Sequence, residues 1–240
     1  MMRGTAATLA DAVWDSHKCV AGRKRAAGNS KAMKCAGHAS TSKKSRKASV
    51  ILPGFVPPQL CESAERPPDG SGWVHEIKFD GYRVQLWVVN GEVTLKTRNS
   101  LDWTEKFGAI ASAAAKLPDA IIDGEIVALD ANGAPDFAAL QAALSEGRTD
   151  ELIFFAFDLL FDGSGDLRKR PLSERKARLW KLLADHGDNA LIRFVQHFDT
   201  GGEAILRSAC RLSLEGIVSK KIDAPYQSGR SRTWLKAKWA

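Results

Sequence analysis

A lysine becomes a nucleophile only where the chain holds it in place and its surroundings favour the neutral amine. Lys78 meets the first condition. It ends the β-prone run Trp73-Val74-His75-Glu76-Ile77 and precedes the turn signal Asp80-Gly81. Neighbouring cations favour the neutral form, and two stand near the far end of the chain, in Trp234-Leu235-Lys236-Ala237-Lys238. Lys236 and Lys238 lie two apart, so on a strand they share a face. Two carboxylates sit in or beside apolar strands, Glu125 in Asp123-Gly124-Glu125 and Glu215 ahead of Gly216-Ile217-Val218-Ser219-Lys220. Their oxygens suit Mg²⁺ or Mn²⁺, with substrate phosphates completing the shell. Arg83 and Arg98 carry forked donors for phosphate or ribose. Phe157 offers a flat ring for a base, although its period also fits plain core and Phe155 shares its face. A lysine nucleophile among cations and hard-metal ligands suits displacement at a phosphoryl group.

The elements that must position these groups follow from periodicity and turn chemistry. Tyr82 to Val89 alternates, Asn90-Gly91 supplies a two-residue turn, and Val93, Leu95 and Thr97 return, which predicts a hairpin that brings Arg98 back toward Lys78. Asp102 is expected to cap a helix over 103–116, ended by Pro118. Residues 120–129 read as a strand whose Gly124 marks a bulge or the close approach of a ligand. A short helix is expected over 136–144 and a buried strand over 152–160. Ser173 and Thr200 are expected to cap helices reaching about 185 and 212, with a strand at 191–197 between them. Strands at 216–220 and 233–238 close the sheets, joined by a polar loop over 223–231. Strands outnumber helices without regular βαβ alternation, so the fold class is α+β with mostly antiparallel sheets.

Charge divides the chain. The first 50 residues hold 11 Lys and Arg against 2 Asp and Glu, whereas the other 190 hold 24 against 26. The division predicts a basic disordered tail over 1–50 and one folded domain over 51–240. A basic arm on a near-neutral body suggests a polyanionic partner; a merely solubilising tail is the alternative. His17, Cys19, Cys35 and His38 include zinc-type donors, but their spacing is not a standard one and the arm is rich in Lys, Arg and Gly. The four cysteines form no Cys-x-x-Cys pair, which suits a reducing compartment. No apolar run approaches the ~20 residues of a membrane span.

The order Lys78-Phe79-Asp80-Gly81-Tyr82-Arg83, Thr97-Arg98-Asn99-Ser100, Asp123-Gly124-Glu125, Phe155 to Leu160, Glu215 to Lys220 and Trp234 to Lys238 resembles the covalent nucleotidyltransferases. It resembles best the ATP-dependent DNA ligases of the bacterial end-joining type, from about Phe55 to Lys238. The resemblance implies two packed, mostly antiparallel β-sheets flanked by helices, an ATP-grasp-like arrangement with the nucleotide between them. It implies that Lys78 takes AMP from ATP, that the adenylate passes to a DNA 5′-phosphate, and that a 3′-hydroxyl seals the nick (the DNA ligase (ATP) reaction, EC 6.5.1.1). Glu76 then helps read adenine, Phe157 stacks on it, and Arg83 and Arg98 grip ribose or phosphate. Glu125 contacts ribose and metal, Glu215 serves the metal, and Lys236 and Lys238 face the α-phosphate. Asp80 orients the lysine loop, and His75 is read as structural. The implied partners are nicked or broken double-stranded DNA and an end-binding repair protein, for a cytoplasmic, nucleoid-associated monomer. Such ligases continue into an oligonucleotide-binding barrel, and this sequence stops two residues after Lys238. The expectation is therefore an adenylation core without that barrel, with an impaired fragment that only binds nucleotide or DNA as the alternative.

Overall fold

Period-two alternation along β3 (Tyr82–Val89) sends Val84, Leu86 and Val88 into the main core and Arg83, Gln85 and Trp87 to the opposite face. In this computed structural model, which describes residues 52–187, 189–199 and 201–239, the strand pairs with β4 (Glu92–Thr97) through the Asn90-Gly91 turn. Both turn residues have positive φ, 51° and 84°, matching the twist of a tight hairpin. On its other side β3 pairs with β5 (Ala120–Val127), which pairs with β6 (Ile153–Asp162). Beside β6 lie the short β7 (Gly165–Asp166) and, in parallel, β8 (Ile192–Phe194).

A second sheet has the order β1-β10-β9-β2, formed by Gln59–Ser63, Gly229–Lys238, Gly216–Lys221 and Trp73–Ile77. Its outer face carries Ile77, Ile217 and Ala237, covered by Ile205, Leu206 and Ala209 of α4 (Gly202–Arg211). The first sheet packs its outer face on α1 (Gly108–Ala114), α2 (Phe137–Glu146) and α3 (Leu172–Asp185) through Ile110, Leu140 and Leu179. Between the sheets, Trp87, Ile121, Leu160 and Phe161 meet Trp234 and Tyr226. This is the α+β architecture of two sheets that the sequence implies.

Several local expectations are corrected. The helix expected over 103–116 is a 3₁₀ turn at Glu105–Phe107 followed by α1, because Asp102 spends its carboxylate on the Thr104 N–H and hydroxyl and forms a turn instead of a cap. Asp136 does cap α2, accepting from Ala139 N–H at 2.9 Å. Ser173 lies inside the first turn of α3, whose N-cap is Pro171 without a side-chain bond. The strand expected at 191–197 keeps only three residues, and β1, whose register depends on the distant β10, was not foreseen. The basic tail, the His17, Cys19, Cys35 and His38 set and the Thr200 cap lie outside the described residues.

Gly124 answers to packing. A Cβ there would enter the Phe154 ring and lie 2.7 Å from the Phe155 carbonyl oxygen, on the core side of β5. Gly124→Ala is expected to cost about 1–3 kcal/mol through overpacking and to lower Tm. An unchanged Tm would mean that Phe154 gives way freely.

Candidate active site

The register of the second sheet stacks the residues that face the first sheet in rows. Lys238 lies opposite Gly216, whose carbonyl accepts the Lys78 N–H at 2.9 Å. The next row aligns Lys236, Val218 and Glu76, and the one beyond pairs Trp234 with Lys220. Rows two residues apart are about 7 Å apart along the strands. Side-chain exposure falls in the same direction, from 52% at Lys238 and 21% at Lys78 to 3% at Glu76 and 2% at Lys220. Lys78 therefore stands at the mouth of a cleft, with Glu76 and Lys220 deep inside.

Three carboxylates in this cleft are each gripped by cations. Glu215 contacts the Lys78 ammonium through Oε2 and lies 2.5 Å from Lys238 Nζ through Oε1. Burial raises its pKa, but hydrogen bonds from Lys238 and Lys78 outweigh that and hold the carboxyl below its ordinary range. The expected crowd of positive charge at Lys78 is thus divided by an anion. Glu76 lies 2.5 Å from Lys176 Nζ and 2.6 Å from Lys220 Nζ. Asp123, fully buried, accepts from Arg83 Nε at 3.1 Å and Nη2 at 2.7 Å, and from the Tyr226 hydroxyl at 2.7 Å. Arg83 Nη1 donates to the Gln59 carbonyl at 2.5 Å, so this cluster also ties β1 to the other sheet.

Glu125 differs from all three. It lies directly across from Arg83 on β3, yet no hydrogen bond or ion pair engages it among the described residues. Burial pushes its pKa up, Arg83 and Lys78 offset only part of the rise, and the carboxyl reaches about 7. No three His, Cys, Asp or Glu side chains converge on a metal position among the described residues. Glu125 and Glu215 are close enough to interact electrostatically.

Phe157 is the extra residue of a bulge: Asp123 pairs with Asp158 and Gly124 with Ala156, so Phe157 has no partner on β5. Lys220 Nζ lies 4.3 Å and Arg83 Cζ 5.3 Å from its ring centroid. Phe155, which periodicity left equivalent, stacks on Phe79 at 4.2 Å and 20°. The bulge is braced from behind by Asp158, which holds Arg175 in a two-point pair at 2.8 and 2.9 Å, both side chains fully buried.

Lys78, Glu76, Phe157, Glu125, Glu215, Lys236 and Lys238 thus line one cleft. Arg98 does not join them. It is exposed in the turn after β4, the edge strand, two strands from Glu125. Arg83 is present, but its guanidinium is committed to Asp123 and Gln59. Asp80 is exposed, and His75 is buried against the Ser219 hydroxyl at 2.9 Å. Sequence reasoning missed Lys220, Asp123, Tyr226 and Lys176. The signal for Lys176 was readable: α3 buries Leu172, Arg175, Lys176, Leu179 and Leu182, so two cations occupy an otherwise apolar stripe.

Comparisons with known proteins bear on the family and the fold. The family model for the ATP dependent DNA ligase domain matches residues 58–238. The multifunctional non-homologous end joining protein LigD of Pseudomonas aeruginosa is 41% identical over 189 residues, covering 78% of this chain and 22% of that protein. The SPbeta prophage-derived DNA ligase-like protein LigB of Bacillus subtilis is 33% identical over 185 residues, covering 76% and 67%. The structure of mycobacterial DNA ligase D complexed with ATP and MES superposes with a TM-score of 0.64 at 28% identity, covering 75% of this chain and 59% of that one. The chain thus spans about a fifth of the Pseudomonas protein's length. With the matched segment running from the start of β1 to the last lysine of β10, this chain belongs to the ATP-dependent DNA ligase domain family.

Proposed function

We propose that the chain works as the adenylation core of an ATP-dependent DNA ligase and serves the repair of broken double-stranded DNA. The observation that carries this reading is the contact of the Lys78 ammonium with Glu215, itself joined to Lys238, at the mouth of a cleft that contains Phe157 and Glu76. In the first step Lys78 Nζ gives up a proton, and Glu215 Oε2 is the basic atom in contact with it. The Nζ lone pair then attacks the α-phosphorus of ATP, the bond to the pyrophosphate oxygen breaks, and pyrophosphate leaves. Lys236 and Lys238 offset the charge that gathers on the phosphoryl oxygens. Phe157 stacks on the base and Glu76 receives its amine. Arg83, fixed by Asp123 within its own sheet, joins the two sheets through its bond to the Gln59 carbonyl.

A divalent cation fits this site. Glu125 is a carboxylate without a protein partner among the described residues, and it stands near Glu215. These two residues would hold Mg²⁺ or Mn²⁺, with substrate phosphates as the other ligands. When bound, the ion supplies charge neutralisation of the phosphates.

The end-joining names of the relatives support break repair as the setting, with DNA ends as the substrate and an end-binding protein as a partner. No helix among the described residues is long and apolar enough to cross a membrane. We assign the chain to the cytoplasm, at the nucleoid, as a monomer, with the domain boundary near residue 51.

Incubation with α-labelled ATP and Mg²⁺ followed by denaturation should leave acid-labile label on the protein, absent from Lys78→Ala. No label from ATP, together with no sealing of pre-adenylated nicked DNA, would overturn the reading. Removing residues 1–50, with their 11 basic side chains, should weaken DNA binding and flatten its dependence on salt; unchanged binding would deny the arm that role.

The Glu125 carboxyl, raised from 4.5 to about 7, makes the folded state the tighter proton binder. Its contribution to stability is full below the unfolded value and lost as pH rises through 7. Glu125→Gln should therefore melt above the native protein past pH 7 and lose that advantage toward pH 4.5, while Mg²⁺ should narrow the gap. A gap that ignores pH would contradict the buried, unpaired carboxyl.

A further inference from the structure

We propose that Lys176 is a positioning residue for purine recognition: it holds Glu76 as an oriented anion whose free lone pair receives an exocyclic amine of the base. The proposal rests on the reading that the cleft takes a nucleotide with its α-phosphate at Lys78.

Depth is the first argument. Glu76 lies one row, about 7 Å, deeper than Lys78 on the same face of the second sheet. A nucleotide whose phosphate meets Lys78 extends its base toward that row. The ring of Phe157 borders the same space, because Lys220 Nζ lies 2.6 Å from Glu76 Oε2 and 4.3 Å from the Phe157 centroid.

The second argument is the way Glu76 is held. Its two oxygens are divided, Oε1 to Lys176 at 2.5 Å and Oε2 to Lys220 at 2.6 Å. The two lysines arrive from different elements, α3 and β9, and Lys176 is the one that donates a hydrogen bond, so it orients the carboxylate while Lys220 adds charge by ion pairing. Lys176 is itself held: its ammonium also donates to the Val195 carbonyl at 2.8 Å and lies 4.7 Å from the Phe194 ring centroid. A carboxylate oxygen accepts two hydrogen bonds, so each oxygen keeps one position for a ligand donor. Burial raises the Glu76 pKa, but Lys176 and Lys220 more than offset it, and the carboxyl lies below its ordinary range. Without Lys176, Oε1 loses its partner and the group is free to turn toward Lys220.

Lys176 is buried to 2% exposure, a costly place for an ammonium. Its neighbour Arg175 already ties α3 to β6 and to the Ala224 carbonyl. The fastening of the helix therefore does not account for a second buried cation, whereas the orientation of Glu76 does.

The test compares binding of ATP with binding of purine riboside triphosphate, which lacks the 6-amino group. The full chain is titrated with each by calorimetry, with EDTA present to prevent covalent transfer. The native protein should bind ATP at least tenfold more tightly. Lys176→Gln and Lys176→Met should lower that ratio at least fivefold, and Lys176→Arg should keep it within twofold. Glu76→Gln should lower the ratio as well. Thermal melts establish that each variant is folded. If a folded Lys176→Gln or Lys176→Met keeps the native ratio, or if Glu76→Gln keeps it, the proposal is overturned. If neither neutral variant folds, Lys176→Arg decides: a held ratio supports the proposal and a fivefold fall overturns it. If the native protein binds neither triphosphate, the nucleotide reading itself fails. If it binds both equally, only the amine contact fails and the proposal falls alone.

Discussion

An ion taken out of water must find its opposite nearby, and the cleft between the two sheets is built around that requirement. Glu76 lies between Lys176 and Lys220, Glu215 between Lys78 and Lys238, and Asp123 against Arg83 with the Tyr226 hydroxyl beside it. Each cluster draws its members from separate stretches of chain. Breaking a buried pair by deleting one partner typically costs about 3–5 kcal/mol, which applies to the Glu76 and Asp123 clusters but not to the more exposed Glu215 cluster.

The clusters divide the work by depth. At the mouth, Glu215 bridges two half-exposed or exposed lysines that a phosphate can draw away. In the interior, the Arg83–Asp123–Tyr226 cluster and the Gln59 carbonyl join the sheets, with Asp123, Tyr226 and Gln59 buried and Arg83 partly so. The Asp158–Arg175 pair braces the bulge that singles out Phe157. Glu125 breaks the pattern: it is partly buried beside cations but joined to none among the described residues, and burial pushes its carboxyl up to about 7.

Arg83 and Gly124 show how a residue type is legible while the partner it meets is not. A guanidinium in a phosphate-handling motif suggests a ligand clamp, and here Arg83 is engaged by Asp123 on the neighbouring strand β5, forty residues away in sequence. Glycine in a strand suggests a bulge or a ligand pressed against the backbone; the register does shift between Asp123 and Gly124, and the glycine also makes room for the Phe154 ring. Local patterns report what a side chain is able to do. Which partner it meets depends on pairings between distant strands, and no short window of sequence contains them.

The sequence by itself determined the local elements whose signals are local: the Asn90-Gly91 hairpin, the strand that carries Lys78, the capped helix after Asp136 and the α+β class. It also determined the chemical kinds present, an amine, paired lysines and strand carboxylates, because residue type and order are written in the chain itself. Tertiary structure alone decided that Phe155 stacks on Phe79 whereas the bulge leaves Phe157 without a partner on β5 and edge-on to Trp234, that Arg98 stays at the edge, and that Lys176 reaches Glu76 across one hundred residues. Those outcomes depend on the packing of α3 against β6 and β8 and on strand register, where a shift of one residue would turn every side chain to the other face.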